Sequence, residues 1–351
     1  MDSVELLRTL SNAFGPSGFE DDVRDILSEM VEPLVDDVRT DVLGNLIATK
    51  RGRGERTLML DAHMDEIGFM ISHVEDGGFL RFTQTSGWDQ RIVPANALTI
   101  QTTDGGTVKG MIGTAPPHIT PPAEREKVFK LDDLFVDIGA TSAAEVAEMG
   151  VRAGSPAVIA YPFERIRDGV IMGKALDDRA GCAIIVKTLE ALQGTETDAT
   201  VVAAFTVQEE VGLRGAGTAA FQIEPDIALA LETTIAADTP GISGAKQITR
   251  QGKGPVISVM DAGFIVPRRV VDALTSTADA EGIPWQYKTP PAGGTDAGAI
   301  HRSRGGVLAG VVSLPGRYIH SPYSLLRLSD FEYAVALVTA FTRRCPGVVG
   351  L

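Results

Sequence analysis

Cysteine is nearly absent: the 351 residues contain two, Cys182 and Cys345. Two cysteines cannot build a disulfide scaffold, so the composition points to a reducing compartment. Basic residues are also short, 32 Lys plus Arg against 46 Asp plus Glu, for a net charge of -14. That balance argues against a nucleic-acid binder, whose surface must be basic to displace counterions. No apolar run approaches the ~20 residues of a membrane helix. The first residues, MDSVELLRTL, show no basic leader. Repeats and low-complexity tracts are lacking too. Against these absences stand 44% hydrophobic and 22% charged residues, the balance of a globular chain. The length of about two ordinary domains leaves room for a sizeable core. The expectation is an acidic, soluble, cytoplasmic protein without nucleic-acid or membrane partners. Only five histidines occur, so their positions matter.

The texture changes twice along the chain. Residues 2–13 carry Val4, Leu6, Leu7 and Leu10 at helical spacing, continued by Phe14 and closed by Gly15-Pro16. Ser17 with Glu20 and Asp21 opens a second helix. Two strands follow near 35–40 and 45–50, turned by Gly44-Asn45, and TLMLDA (57–62) reads as a strand buried on both faces. From 66 to 162 six short strand-like pieces alternate with Gly- and Asp-rich turns. They predict a small all-β barrel or sandwich with one helix near 142–149, while 114–130 reads as a long exposed loop. After 163 buried strands alternate again with helices. The fold class expected is α/β, a mixed, mostly parallel sheet with helices on both faces. Residues 1–65 and 163–351 make that unit, and 66–162 are a β insertion into it.

Five polar sites sit beside the expected strands. They are AHMDE with His63 and Asp65, KALDDRAG with Asp177 and Asp178, VQEEVG with Glu209 and Glu210, LALETT with Glu232, and RYIHSP with His320. Each falls at the C-terminal end of an expected strand, where open α/β sheets place their ligand crevice. Two histidines and three carboxylates suit a pair of divalent ions if one carboxylate bridges. The best fit puts His63, Asp177 and Glu232 on one ion and Asp177, Glu210 and His320 on the other. Glu209 is then a free carboxylate at the site, suited to act as general base. Asp65 is spaced to accept the other ring N–H of His63. Each signal also has a plain reading. A Glu-Glu pair is usually a solvated face, and Asp177-Asp178 can be a helix N-cap with a first-turn acid. Asp178 can serve as that cap or pair with Arg179. Gathered acids without a cation would repel and protonate, which favours the metal reading.

The segments AHMDEIGFM, GKALDDRAGC, TVQEEVGLRGA, GGTDAG and RYIHSP, in this order, resemble the tetrahedral aminopeptidases. That family of dinuclear metallopeptidases includes glutamyl and deblocking aminopeptidases. The resemblance spans nearly the whole chain. It implies a zinc-peptidase-like sheet with a PDZ-like β insertion, and metal ligands at His63, Asp177, Glu210, Glu232 and His320. It implies Glu209 as base and a cis peptide after Asp177. Glu232 stands where the family most often has Asp. GGTDAG resembles a loop lining the pocket for the N-terminal side chain, which would bring in Thr295 and Asp296; a turn and helix N-cap is the other reading. His118, in the loop of the insertion, either reaches an active site to polarise the scissile carbonyl or is a plain loop residue. His73 and His301 read as structural.

The function expected is removal of N-terminal amino acids from peptides with a free N-terminus, using two divalent ions per subunit. Zinc is the first choice, with cobalt or manganese as alternatives. Two other hydrolase readings stand beside it, an N-acyl amino-acid deacylase on the same scaffold and an endoglucanase using acids such as Glu209 and Glu232. The resemblance also implies dimers made through the β unit and their assembly into a hollow tetrahedral dodecamer.

Overall fold

The computed structural model of the chain describes residues 1–116, 118–290 and 292–350. Helix α1 (Ser3–Asn12) is capped by Asp2, whose carboxylate accepts the N–H groups of Val4 and Glu5. Its buried face is Leu6, Leu7 and Leu10. Helix α2 (Asp21–Val31) buries Val23, Leu27 and Val31. Ser17 takes no part in starting it; its hydroxyl is drawn instead to Asp65, 2.6 Å away.

Strands β1 (Asp37–Thr40) and β2 (Leu46–Lys50) form an antiparallel hairpin. Asp41 makes the turn by accepting the N–H groups of Leu43, Gly44 and Asn45. Gly44 supplies the φ of 103° the turn requires. Strand β3 (Thr57–His63) is buried along nearly its whole length.

Six strands then close a barrel. They are β4 (Phe69–Val74), β5 (Leu80–Gln84), β6 (Ala97–Gln101), β7 (Thr107–Gly113), β8 (Phe135–Asp137) and β9 (Pro156–Ile159). The barrel has its own core, in which Phe69 stacks on Trp88 and meets Phe82 edge-on. Helix α4 (Ala143–Glu148) interrupts the strands. Residues 114–130 are not wholly irregular, since a single helical turn, α3 (Pro122–Arg125), opens on Pro122.

The chain then forms β10 (Glu164–Arg167), β11 (Val170–Gly173), α5 (Leu176–Ala191), β12 (Thr200–Thr206), α6 (Arg214–Ile223) and β13 (Ile227–Ile235). It continues with β14 (Val256–Ser258), α7 (Arg268–Glu281), β15 (Gln286–Lys288), α8 (Ala297–Ile300), β16 (Leu308–Gly316), β17 (Ser324–Arg327) and α9 (Leu328–Arg344).

The main sheet has eight strands in the order β1-β2-β12-β3-β13-β16-β14-β15. Its four central strands, β12, β3, β13 and β16, run parallel. Both faces are covered: α5 packs on β3 and β13 with α1 and α9, and α6 packs with α8 against the same strands and β12. Parallel strands covered on both sides read as continuous apolar runs, which is why they show so clearly in sequence.

Two expectations change. The strand before Asp177, β11, lies outside the main sheet, in a small antiparallel sheet with β10 and β17. Strand β13 does not stop before Glu232 but runs on to Ile235. It keeps pairing with β16 after its pairing with β3 has ended at Ala230. Among the described residues no helix is long and apolar enough to cross a membrane.

Candidate active site

The parallel strands deliver their C-terminal ends to one rim. The order β12-β3-β13 puts the next strands in sequence on opposite sides of β3, so the crevice opens at a topological switch point. His63 ends β3, and Glu209 and Glu210 follow β12. Glu232 projects from β13 just past the point where β3 leaves it, and His320 follows β16. Asp177 and Asp178 arrive on a kink ahead of the regular part of α5, and the peptide bond between them is cis. Together these groups line a cavity of about 680 Å³, Asp178 excepted, which is fully buried behind it.

The carboxylates converge on the histidines. His63 is 2% exposed. Its Nε2 lies 3.8 Å from Asp177 Oδ1, 3.9 Å from Glu209 Oε2 and 4.0 Å from Glu232 Oε2. The other oxygen of Asp177, Oδ2, lies 3.7 Å from His320 Nε2, and Glu210 Oε2 lies 3.6 Å from the same nitrogen. One carboxylate therefore faces both histidines, one oxygen each. The donor atoms fall into three compact trios: His63 with Asp178 and Glu232, His63 with Glu209 and Glu210, and Asp177 with Glu210 and His320. Asp178 enters where sequence reasoning offered only a cap. One oxygen does cap, accepting the Gly181 N–H at 3.1 Å, while the other is buried without a hydrogen-bond partner. Arg179 turns away from it, donating to the carbonyls of Met64, Leu10 and Gly15.

Asp65 organises this cluster from behind. Its carboxylate receives the Ser17 hydroxyl and the backbone N–H groups of both Glu209 (2.9 Å) and Glu210 (3.2 Å). It also stands 3.4 Å from His63 Nδ1, whose closer partner is the Asp65 carbonyl at 3.1 Å. His320 is held from the barrel side, where its Nδ1 lies 3.1 Å from the carbonyl of Gly87, between β5 and β6. Such contacts fix ring orientation and tautomer, leaving each Nε2 to face the acids.

Burial and mutual repulsion perturb the acids strongly. Burial, with Asp177 and Asp65 adding to it against the pull of His320, raises Glu210 to about 7. Burial raises Glu232 to about 8, with Asp296 and Asp177 adding to it. Glu209 and Asp178 are pushed well above the carboxylate range by burial first and neighbouring acids second. Burial tends to discharge His63, but Asp177 and Asp65 outweigh it and hold the ring well above its usual pKa. A buried group of acids with two imidazoles, one carboxylate facing both rings and an unpartnered Asp178 oxygen is a donor set that fits divalent cations.

Residues 44–337 match the model of the M42 glutamyl aminopeptidase family. The chain belongs to that family. It is 36% identical to the putative aminopeptidase FrvX of Escherichia coli over 97% of this chain and 94% of that protein. Its fold superposes with a TM-score of 0.96 on a TET aminopeptidase from a marine sediment archaeon, Thaumarchaeota archaeon SCGC AB-539-E09. That pair is 41% identical, over 99% of this chain and 98% of the other. With the TET1 peptidase of Pyrococcus horikoshii, described as assembling into a tetrahedron or a large octahedral shell, the TM-score is 0.87. Identity is 33%, over 97% of this chain and 99% of that one. The M42 chain is thus a peptidase of a divalent-metal family, and three groups of histidines and acids in and behind this cleft have donor atoms close enough together to hold such an ion.

The remaining sequence candidates divide. Thr295 lines the cleft of the M42 chain, its hydroxyl donating to Asp261 Oδ2 at 2.7 Å. Asp296 is buried behind it. Its N–H donates to Glu232 Oε1 at 3.1 Å and its carboxylate accepts the Thr206 hydroxyl at 2.8 Å. It occupies the N-cap position of α8, where its carbonyl, not its carboxylate, accepts helix N–H groups. His118 is exposed on the loop after β7 and is not among the residues lining this cleft. Sequence reasoning missed Ser17, the Gly87 carbonyl and Lys288, which also lines the cleft. Ser17 carried a misleading helix-start signal, and a backbone carbonyl carries none at all.

Proposed function

We propose that this protein removes N-terminal amino acids from peptides with two divalent ions, zinc first and cobalt or manganese as substitutes, held by His63, Asp177, Glu210, Glu232 and His320. The observation that carries the reading is Asp177, whose two oxygens face His63 at 3.8 Å and His320 at 3.7 Å, as a carboxylate shared between two centres would. Bound divalent ions supply Lewis-acid polarisation of a peptide carbonyl and acidify the attacking water. Glu209 accepts the water proton at Oε2 and delivers it to the leaving amine nitrogen. Burial suits Glu209 to this traffic, because it raises the carboxylate's proton affinity far above that of a free side chain. Asp65 keeps Glu209 and Glu210 in place through their backbone N–H groups. The carboxylates at the cleft floor also receive the α-ammonium group of the substrate, which restricts cleavage to the first residue. Thr295 lines the space for that residue's side chain, and Asp296 supports it from behind.

We assign residues 66–162 to self-association, as dimers that build a tetrahedral dodecamer. Exposed apolar side chains on this unit, Met111, Ile119, Val128 and Phe129, support it, as does the assembly described for the Pyrococcus horikoshii relative. In such an assembly His118 serves a neighbouring subunit's site. The two thiols, both free and buried, fit a cytoplasmic location. The deciding assay uses the metal-loaded protein on amino-acid p-nitroanilides and, in parallel, on N-acetyl amino acids. Release of p-nitroaniline with N-acetyl amino acids left intact is expected. The reverse pattern overturns the reading in favour of a deacylase. Light scattering that shows a monomer overturns the assembly.

A further inference from the structure

Two buried cations flank the shared carboxylate in sequence. Lys174 stands just before Asp177, directly after β11, and Arg179 stands just after it. The proposed reaction uses neither. Both reach the segment that follows His63. The Lys174 ammonium group, 7% exposed, donates to Glu66 Oε1 at 2.6 Å, and Glu66 is 3% exposed. The fully buried Arg179 stands 3.7 Å from the same oxygen and donates to the carbonyl of Met64. Residues 64 and 66, on either side of Asp65, are thus tied to residues 179 and 174, on either side of Asp177.

The same two cations grip the segment between α1 and α2. Lys174 donates to the Ala13 carbonyl at 2.8 Å and Arg179 to the Gly15 carbonyl at 3.1 Å. Glu66 closes the ring through its backbone, donating its N–H to the Gly15 carbonyl at 3.0 Å. A side chain at Gly15 would break into this grip, since its Cβ would stand 2.8 Å from a guanidinium nitrogen of Arg179.

Such a tie has work to do at this point of the fold. His63 ends β3 in the main sheet, whereas Asp177 follows β11 in the small one. No ladder of backbone hydrogen bonds therefore sets one ligand against the other. Buried ion pairs add little stability over apolar residues of the same volume, and their best-attested use is to fix register. We infer, on the two-ion reading of this cleft, that Glu66 and Lys174 are positioning residues for the metal pair. Their ion pair fixes the segment bearing Asp177 against the segment bearing His63, and so sets the reach of the carboxylate that both ions share.

Cobalt reports both affinity and coordination geometry. Glu66→Leu combined with Lys174→Met removes both charges together and leaves the Ala13 carbonyl to Arg179, 3.4 Å away. The metal-free double variant is expected to melt close to the wild type. It should bind cobalt about 10–100-fold more weakly and show an altered visible absorption spectrum once loaded. Wild-type affinity with an unchanged spectrum overturns the inference, because the pair then only packs. If the double variant does not fold, Glu66→Gln decides by the same two readouts, since it keeps an oxygen for the Lys174 ammonium group. Weaker binding with an altered spectrum then supports positioning, and wild-type values overturn it. The cobalt stoichiometry of the wild type tests the two-ion reading separately. One cobalt per chain overturns that reading, and the positioning role then stands only if the variant weakens and perturbs that single ion. No bound cobalt overturns both.

Discussion

The carboxylate of Asp65 accepts the backbone N–H of Glu209 at 2.9 Å, across 144 positions of sequence. The proposed base is therefore held through its main chain, and its own carboxylate stays free to exchange a proton.

Replacing Glu209 with Gln keeps the shape of the side chain and removes the proton acceptor. Turnover of an amino-acid p-nitroanilide is expected to fall by about 10²–10⁴-fold. Metal content, measured by elemental analysis of the purified variant, should match the wild type. Near-normal turnover in this variant would assign the proton transfer to another group.

Asp65→Asn should act differently. The amide substitutes a donor for one of the oxygens that receive the Glu209 and Glu210 N–H groups, and it no longer supplies an anion beside His63. Affinity for zinc is expected to drop by about 10–100-fold, as for other groups that orient metal ligands. A competition titration with a chromogenic chelator reads this directly. Unchanged affinity would limit Asp65 to a packing role.

Removal of divalent ions by a chelator should abolish hydrolysis, with recovery on adding zinc, cobalt or manganese. The melting temperature should fall at the same time, because ions that bind only the folded chain stabilise it. The contribution is about 2.7 kcal/mol per site at a free-ion concentration 100 times the Kd. Activity that persists after exhaustive chelation would exclude the metal mechanism.

Glu20 offers a pH signature outside the ligand set. Burial, with the charge of Asp65 adding to it, raises its pKa from 4.5 to about 7, against the backbone N–H groups of Gly18 and Gln208 that it accepts. A raised folded-state pKa means stability present below the unfolded value and lost as pH climbs through the folded one. The wild type should lose stability relative to Glu20→Gln between about pH 4.5 and 7, with the difference level above that. Melting curves of the two proteins across this range check it. A constant offset would show that Glu20 titrates normally.

The sequence by itself made most residues of the candidate site legible. Buried parallel strands write themselves as continuous apolar runs, so the polar residues that follow them stand out at His63, Glu209, Glu210 and His320. The six barrel strands were legible for a related reason, as short runs set off by turn residues. Tertiary structure alone decided how the donors meet. The strand before Asp177 lies outside the main sheet, and Glu232 lies inside a strand rather than at its end, because pairing with β16 outlasts pairing with β3. Asp178 looked like a cap and is both a cap and a buried oxygen facing the site. The supports of the site, Ser17 on Asp65 and Gly87 on His320, join segments far apart in sequence and leave no local pattern. Lys288 sits in a strand of three residues, too short to show a period. Composition and spacing reveal which groups are present, but only the sheet register and the kink before α5 bring their lone pairs to one point.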